Sequence, residues 1–408
     1  MRLFKSVLAS LNNTKQPQRK FLGHLLGLLL MLPGPMTFRN LSRYSRYHEK
    51  SFARWFARKF DWLEVNHVAI TQVVPAEHEQ ALVMDASFLA KSGQQTYGVD
   101  RFWNGCAGRA EKGLEISVLA WLDITANQAY SLSVEQTPAT DNAEGSSSAV
   151  EDTRIDCYLG QLRWAVEHYG LARLKYLIAD GYYSKVKFIT TVVDLGLHQI
   201  GKLRSDADMR YFYTGPRRPG PGRPKQYDGK VKWSDLSRFK RLASGEAGIT
   251  LYQQVLNHKQ FKRTLNVVVV VDSRGKTTRQ AVLFSTDLTL AATTLYRYYR
   301  ARFQIEFLFR DAKQFAGLTD CQARSEAKLH YHFNASLTAV SLAKLEAQQQ
   351  AGGVLNQPFS MASLKRRAFN EHLLDQIMVN LEAGAELTKF SPAYESLCNY
   401  GTISQEAA

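Results

Sequence analysis

The chain has 408 residues, of which 45% are hydrophobic and 22% charged, with 52 Lys and Arg against 37 Asp and Glu. This length predicts two or three domains, and the composition excludes a disordered or collagen-like protein. The four cysteines are far apart and form no CxxC pair. Their spacing argues against a disulfide scaffold or a structural zinc site and favours a reducing compartment.

The positive charge is clustered in two segments. Residues 1–75 carry twelve Lys and Arg against three acidic residues, and residues 201–240 carry eleven against four. Either cluster alone is equally well explained as a solvated surface. Two such clusters in a chain of net charge +15 predict a polyanionic partner, in particular nucleic acid.

The first 75 residues have a helical pattern. The apolar run at residues 21–32 is too short to span a membrane, and we expect a buried helix there. Residues 36–60 predict two short helices with cations between the aromatic residues, which is typical of a helix-turn-helix. Its candidate DNA contacts are Arg54, Arg58 and Lys59. A small helical bundle with a basic surface is the alternative.

From residue 78 the pattern changes to a mixed α/β domain. A helix is expected at residues 154–169, and a polar loop at residues 141–150. The expected strands are 81–85, 114–124, 128–137, 174–180 and 197–204.

Residues 206–286 are expected to form a β-rich insertion. Its basic stretch at residues 214–233, which contains Arg223 and Lys225, is too rich in Pro and Gly for regular structure. Strands are predicted at 249–257, 264–272 and 279–286, followed by helices within 289–349 and 360–385.

Two aspartates, Asp85 and Asp180, each end an apolar strand-like run. The carboxyl ends of strands are where α/β folds usually place their sites, although a strand-end Asp is also a common turn or cap residue. A third carboxylate would complete a site for a divalent cation such as Mg²⁺.

The segment from Tyr296 to Phe315 is expected to be one helix that supplies this carboxylate. At about 100° per residue, one stripe of that helix holds an acid, three cations and a phenol. Such groups suit a phosphodiester, and an exposed face with ion pairs is the alternative. The stripe consists of Tyr299, Arg302, Glu306, Arg310 and Lys313.

The spacing Y-(2)-R-(3)-E-(6)-K over this segment resembles the signature of the bacterial insertion-sequence-four group of DDE transposases. The segments VMDASFLAKSG, LIADGYYSK and TDCQARSEA also look like that family. The resemblance covers residues 40–340. It implies Asp85, Asp180 and Glu306 as a catalytic triad that binds two Mg²⁺ ions, for which Mn²⁺ can substitute. It implies DNA contacts near the cleavage site at Tyr299, Arg302 and Lys313.

By this resemblance we expect a ribonuclease-H-like α/β core with a β-rich insertion, preceded by a helical, helix-turn-helix-like DNA-binding region. The expected partners are terminal inverted repeats and target DNA, bound by a homodimer near the nucleoid in the cytoplasm, without a membrane or a nucleotide cofactor. The rival functions are a nuclease that joins no strands and an inactive, transposase-derived DNA-binding protein. The expected boundaries are 1–75 (DNA binding), 76–205 and 287–345 (catalytic), 206–286 (insertion) and 346–408 (helical, a candidate for oligomerisation).

Overall fold

A computed structural model describes most of the chain. The described ranges are residues 2–11, 14–137, 154–216, 223–352, 354–355, 358–380 and 391–399. The loop expected at residues 141–150 lies outside these ranges, as do residues 217–222 of the basic stretch.

Among the described residues, helices come first and last along the chain, and the strands lie between them with two further helices among them. The helices are α1 (Arg2–Ser10), α2 (Gln16–Met31), α3 (Phe38–Arg43), α4 (Glu49–Phe56), α5 (Trp62–Val73), α6 (Arg154–Tyr169), α7 (Val186–Asp194), α8 (Ala292–Ala301), α9 (Gln304–Phe315), α10 (Glu326–Gln350), α11 (Met361–Asn380) and α12 (Pro392–Cys398). The strands are β1 (Gln80–Ala90), β2 (Asp100–Asn104), β3 (Arg109–Asp123), β4 (Gln128–Gln136), β5 (Tyr176–Ala179), β6 (His198–Leu203), β7 (Met209–Phe212), β8 (Tyr227–Lys230), β9 (Lys240–Ala243), β10 (Ile249–His258), β11 (Arg263–Asp272) and β12 (Arg279–Ser285).

The described residues divide into two units. The first unit falls within residues 1–79, 86–146 and 304–408, and the second within residues 80–85 and 147–303. Strand β1 therefore begins in the second unit and ends in the first.

In the first unit, the apolar run at residues 21–32 forms the buried helix that its pattern predicted. Helix α2 has Pro17 in its first turn, where a missing N–H costs nothing, and it ends just before Pro33. Its buried side chains include Phe21, Leu22 and Leu25. In the part of the chain that the structure describes, no helix is long and apolar enough to cross a bilayer.

The first unit also contains the antiparallel strands β2, β3 and β4, and α10 packs against β4. Strand β4 pairs with β3 along one edge. Polar side chains bond its other backbone groups: Ser341 Oγ accepts from Ser131 N at 2.8 Å, and Asn334 bonds both N and O of Val134 at 3.0 and 2.8 Å. These bonds satisfy edge groups that would otherwise be buried without partners.

The second unit contains a large mixed sheet. The first half of β1 pairs in parallel with β5, and β5 in parallel with β6. The sheet then continues through antiparallel pairings to β12, β11, β10, β7 and β8, while β9 pairs with β10. Its buried core includes Val267, Val269 and Phe284. Runs of β-branched residues such as those of β11 suit strands buried on both faces.

Eight strands predicted from the sequence are confirmed, in β1, β3, β4, β5, β6, β10, β11 and β12. The helix predicted at residues 154–169 is α6, and the two short helices expected between residues 36 and 60 are α3 and α4. The interpretation of residues 214–233 as wholly irregular is wrong, since β8 lies there. Strand β8 has four residues and pairs with β7, so its register depends on a distant partner rather than on a local pattern.

Candidate active site

The register of two parallel strands places two aspartates at one edge of the second unit's sheet. Met84 of β1 pairs with Ala179 of β5. Asp85 and Asp180 each follow the last residue of that pairing, so their backbones are neighbours at the carboxyl ends of adjacent strands. The apolar residues before them are fully buried, which fixes both strands.

Asp180 is oriented by the turn that it begins. Its Oδ1 accepts a hydrogen bond from Tyr182 N at 2.9 Å, as the N-cap of a 3₁₀ helix over Gly181–Tyr183. One carboxylate oxygen is thus held by the backbone. The side chain remains part of a cavity rather than of the core.

Asp85 is paired with a cation. Arg302 Nη1 lies 3.0 Å from Asp85 Oδ2, and the two side chains are 16% and 18% exposed. An ion pair with so little exposure is screened less than a surface pair. The carboxylate of Asp85 therefore faces a guanidinium that comes from the end of α8.

Tyr299 lies within the electrostatic reach of the same groups. Burial raises the pKa of its phenol; Arg302 opposes this shift, and the charges of Asp180 and Asp85 add to it. Tyr299 is consequently a neutral hydrogen-bonding group at physiological pH. Within the second unit, the structure thus brings together Asp85, Asp180, Tyr299 and Arg302.

A cavity of about 510 Å³ adjoins this cluster. Its walls include Asp180, Tyr299 and Arg302, together with Lys202 and Arg204 at the end of β6. Sequence reasoning did not select these two cations, because a lone Lys or Arg at a strand end is common. A sequence signal that could have found them is the segment IGKLRSDA at residues 200–207, which contains both cations and also resembles the transposase family named above.

The single helix expected from Tyr296 to Phe315 is wrong. The chain forms α8 and α9, separated by a tight turn at residues 302–303. In that turn Arg302 N bonds Tyr299 O at 3.3 Å, and Phe303 N bonds Arg300 O at 3.1 Å. These are i to i−3 bonds, which wind the backbone more tightly than an α-helix. The even stripe calculated for one continuous helix therefore does not extend across the turn.

Three of the predicted residues, Glu306, Arg310 and Lys313, lie on α9 in the first unit. Glu306 is half-buried in the first turn of the helix. Lys313 Nζ donates to Ser87 Oγ at 2.8 Å and to Phe88 O at 3.1 Å, and burial lowers its pKa. Lys313 therefore ties α9 to the second half of β1.

Arg310 has an identifiable structural contact. Its Nε and Nη2 donate to Asp311 Oδ1 at 3.1 and 2.9 Å, and its guanidinium lies 4.7 Å from the ring centre of Phe307. Asp311 is buried. Arg310 is itself exposed, and its guanidinium neutralises part of the charge of the buried Asp311 carboxylate.

The N-terminal cations are exposed and lie on or just after α4. Arg54 bonds Ser51 Oγ at 3.3 Å, and Arg58 stacks over Trp55 at 4.2 Å. Among the described residues, no carboxylate forms an ion pair with Arg54, Arg58 or Lys59. Their charges are available to a ligand.

The predicted cations of the insertion make local contacts. Arg223 donates to Gln226 Oε1 at 3.1 Å. Lys225 forms an exposed ion pair with Asp228 at 2.8 Å and lies over the ring of Tyr213 at 4.5 Å. Exposed pairs of this kind contribute little to stability, so both cations can exchange these partners for phosphate.

The donors at the sheet edge suit a hard divalent cation. Asp85 and Asp180 offer carboxylate oxygens, which Mg²⁺ prefers together with water and substrate phosphate. In the described ranges, no three His, Cys, Asp or Glu side chains gather into a complete metal-binding cluster. The two aspartates fit a cation that takes its remaining ligands from elsewhere.

Comparison with known proteins identifies a family. Residues 6–264 match the family model described as DDE superfamily endonuclease. The matched segment includes Asp85 and Asp180 and ends before α8. No curated protein matches the sequence.

Proposed function

This chain belongs to the DDE superfamily endonuclease family, and from that membership together with the Y-(2)-R-(3)-E-(6)-K spacing from Tyr299 to Lys313 we propose that it is a DDE transposase of the insertion-sequence-four group. It binds the terminal inverted repeats of its element, cleaves phosphodiesters at the element ends and transfers the 3′-hydroxyl ends into target DNA. The observation that carries the proposal is the register that puts Asp85 and Asp180 at neighbouring strand ends beside Arg302 and Tyr299.

The proposed catalytic carboxylates are Asp85, Asp180 and Glu306. The first two are supported by their position in the sheet, and Glu306 by its place in the Y-(2)-R-(3)-E-(6)-K signature. A ribonuclease-H-like core is supported by the parallel strands β1, β5 and β6. Along the chain, α6 precedes β5, and α7 connects β5 to β6.

The three carboxylates would hold two Mg²⁺ ions, which activate water or a 3′-hydroxyl and stabilise the leaving oxygen. The protein's own side chains position the DNA strand. Arg302 and the cavity cations Lys202 and Arg204 neutralise phosphate charge, while the neutral phenol of Tyr299 donates a hydrogen bond without adding charge. Lys313 and Arg310 provide further positive charge on α9.

DNA outside the cleavage site would contact two other regions. We propose that α3 and α4 act as a helix-turn-helix-like element for the terminal repeats, through Arg54, Arg58 and Lys59. Arg223 and Lys225 of the insertion would hold the flanking DNA. Because two ends are joined in one reaction, the active form is proposed to be a homodimer on DNA.

A nuclease that cuts without joining is the second candidate. The family description specifies endonuclease activity, and the same carboxylates would serve hydrolysis alone. Formation of joined products distinguishes the two functions.

The test is cleavage of a labelled duplex carrying an element end, by the full chain with Mg²⁺. Asp85→Asn, Asp180→Asn and Glu306→Gln should each lower cleavage by about a thousand-fold or more, because each replaces a proposed metal-binding carboxylate by a neutral amide. The affinity for DNA should stay within a few-fold, because the amide is similar in size to the carboxylate it replaces. The control is Asp194→Asn, which alters an exposed acid at the end of α7. Wild-type-like cleavage by any of the three variants would remove that residue from the triad.

A further inference from the structure

A second cavity, in the first unit, is lined by cations that no site described above uses. It has a volume of about 630 Å³ and lies between α3, α4 and the beginning of α10. Arg39, Lys50, Arg324 and Lys328 line it, with Glu49 as their one acidic neighbour in the lining. We call it the basic cavity.

The protein balances only part of the positive charge of the basic cavity, through Glu49. Among the described residues, no carboxylate forms an ion pair with any of the four cations. In the described part of the chain, the side chain of Arg324 donates to the neutral Gln95 Oε1 at 3.2 Å. Elsewhere in the chain Arg274 and Arg367 are held by carboxylates. Four like charges around one cavity repel one another, and an anionic ligand relieves that repulsion.

The floor of the basic cavity is fixed before any ligand binds. Cys321 and His332 line it and are 6% and 3% exposed. His332 Nε2 lies 2.7 Å from Gly317 O, which fixes the ring. A rigid floor with long cationic side chains around it can bind an anion without a large rearrangement.

The basic cavity continues a surface already proposed to contact DNA. Lys50 and Arg54 are four residues apart on α4, so they lie about 40° apart around the helix axis. A ligand that contacts Arg54 can therefore also reach Lys50 in the lining of the cavity. The cube root of the volume is about 9 Å, which leaves room for roughly two neighbouring phosphates of one strand.

We propose that the basic cavity binds successive phosphates of the DNA backbone. It supplies affinity without sequence choice, through residues other than those of the catalytic and recognition sites. The proposal rests on the proposed function, because that function makes DNA the anionic ligand of this protein.

The test uses the double variant Arg324→Gln/Lys328→Gln in the full chain. Its matched control is Lys112→Gln/Arg366→Gln, which removes one Lys and one Arg at exposed positions outside the cavity. Fluorescence anisotropy measures affinity for two duplexes of equal length, one with an element end and one of unrelated sequence, from 50 to 300 mM salt.

We expect the cavity variant to bind both duplexes about ten-fold more weakly than the control, with a salt slope lower by about 2. The charge-retaining variant Arg324→Lys/Lys328→Arg should bind like wild type, which separates charge from folding.

Equal DNA affinity and equal salt slope for the cavity and control variants would overturn the cavity proposal. In that case, binding of DNA by wild type would still leave the proposed function intact. A loss confined to the element end would also overturn it, because backbone contacts do not read sequence. If wild type binds neither duplex, the proposed function fails and the cavity proposal fails with it.

Discussion

The pair between Asp85 and Arg302 is the most consequential contact of the candidate site. The Arg302 guanidinium lies 3.0 Å from Asp85 Oδ2. A metal ion held by the proposed ligand Asp85 would compete with Arg302 for that oxygen. A phosphate brought by DNA offers Arg302 an alternative partner, so substrate and metal should favour each other's binding.

Replacing Arg302 should separate its two effects. In Arg302→Gln the positive charge beside Asp85 is gone, so Mn²⁺ should bind the DNA-free protein more tightly, by about ten-fold. DNA cleavage should nevertheless fall, because a phosphate contact is lost. Isothermal titration with Mn²⁺ and a cleavage assay measure the two effects.

Arg300→Gln is the matched control for this substitution. Arg300 lies on α8 and pairs with Glu246, not with Asp85. It should change neither quantity by more than about two-fold, as is usual for an exposed ion pair. Unchanged or weaker Mn²⁺ binding by Arg302→Gln would contradict the competition between the arginine and the metal.

Sequence alone indicated part of this site. Asp85 and Asp180 were selected because each ends an apolar run, a local feature. Their alignment and the pairing of Asp85 with Arg302 were not derivable, since those partners are 217 residues apart in the chain. Lys202 and Arg204 were missed for the same reason, because only the folded sheet places them beside Asp180.

At the scale of elements, α10 protects the free edge of β4 with side-chain hydrogen bonds. Ser341→Ala removes the acceptor of the buried Ser131 N–H and should lower the free energy of unfolding by about 1–3 kcal/mol. The measurement is urea denaturation, provided that the transition is two-state.

Ser336 offers a matched control on the same helix. Its buried hydroxyl has no hydrogen-bond partner among the described residues. Ser336→Ala should therefore leave stability unchanged or raise it slightly. Equal losses in the two serine variants would show that the edge bond to β4 contributes nothing.

The packing of α9 against α10 buries an ion pair whose cost depends on pH. Lys344 Nζ is 3.9 Å from Asp311 Oδ2, and burial lowers the pKa of Lys344 to about 8. Between that value and the ordinary 10.5, the unfolded chain binds more protons than the folded one. Stability from this group therefore rises with pH through that window.

Lys344→Met removes this dependence. Between pH 7.5 and 9.5, the free energy of unfolding of wild type should rise relative to the variant by about 1–2 kcal/mol. Denaturant titrations at both pH values measure it, and the difference between the proteins cancels other titrating groups. A constant difference would mean that Lys344 titrates normally.

Sequence patterns predicted long elements better than short ones. The β-branched run of β11 and the apolar run of α2 are strong local signals, and both elements formed. Strands β7, β8 and β9, of four residues each, were missed because their pairing partners determine them. The turn between α8 and α9 was missed because the helical pattern continues across it, while Arg302 is engaged by the distant Asp85.

At the scale of the whole molecule, some of the excess cations pair with carboxylates and others do not. The net charge of +15 predicted a polyanionic partner. The structure separates the cations into those tied to carboxylates, such as Arg302 and Arg310, and those available to a ligand, such as Arg54 and the residues of the basic cavity. The available group should dominate salt-dependent DNA binding.

The proposed joining of two ends makes a stoichiometric prediction. With duplexes carrying an element end, light scattering after size exclusion should give two chains and two duplexes per complex. The reason is that each chain offers one set of the proposed catalytic carboxylates, and in the proposed reaction both ends react together. A complex of one chain with one duplex at saturating DNA would contradict the homodimer.

The most direct test of the central claim is a strand-transfer assay with the full chain, Mg²⁺, a target plasmid and a duplex carrying the element's own ends. Wild type should give joined products, and Glu306→Gln should bind the duplex but give neither nicked nor joined DNA. Cleavage without joining by wild type would make the protein a nuclease. Binding without cleavage in Mg²⁺ or Mn²⁺ would contradict an active DDE site altogether.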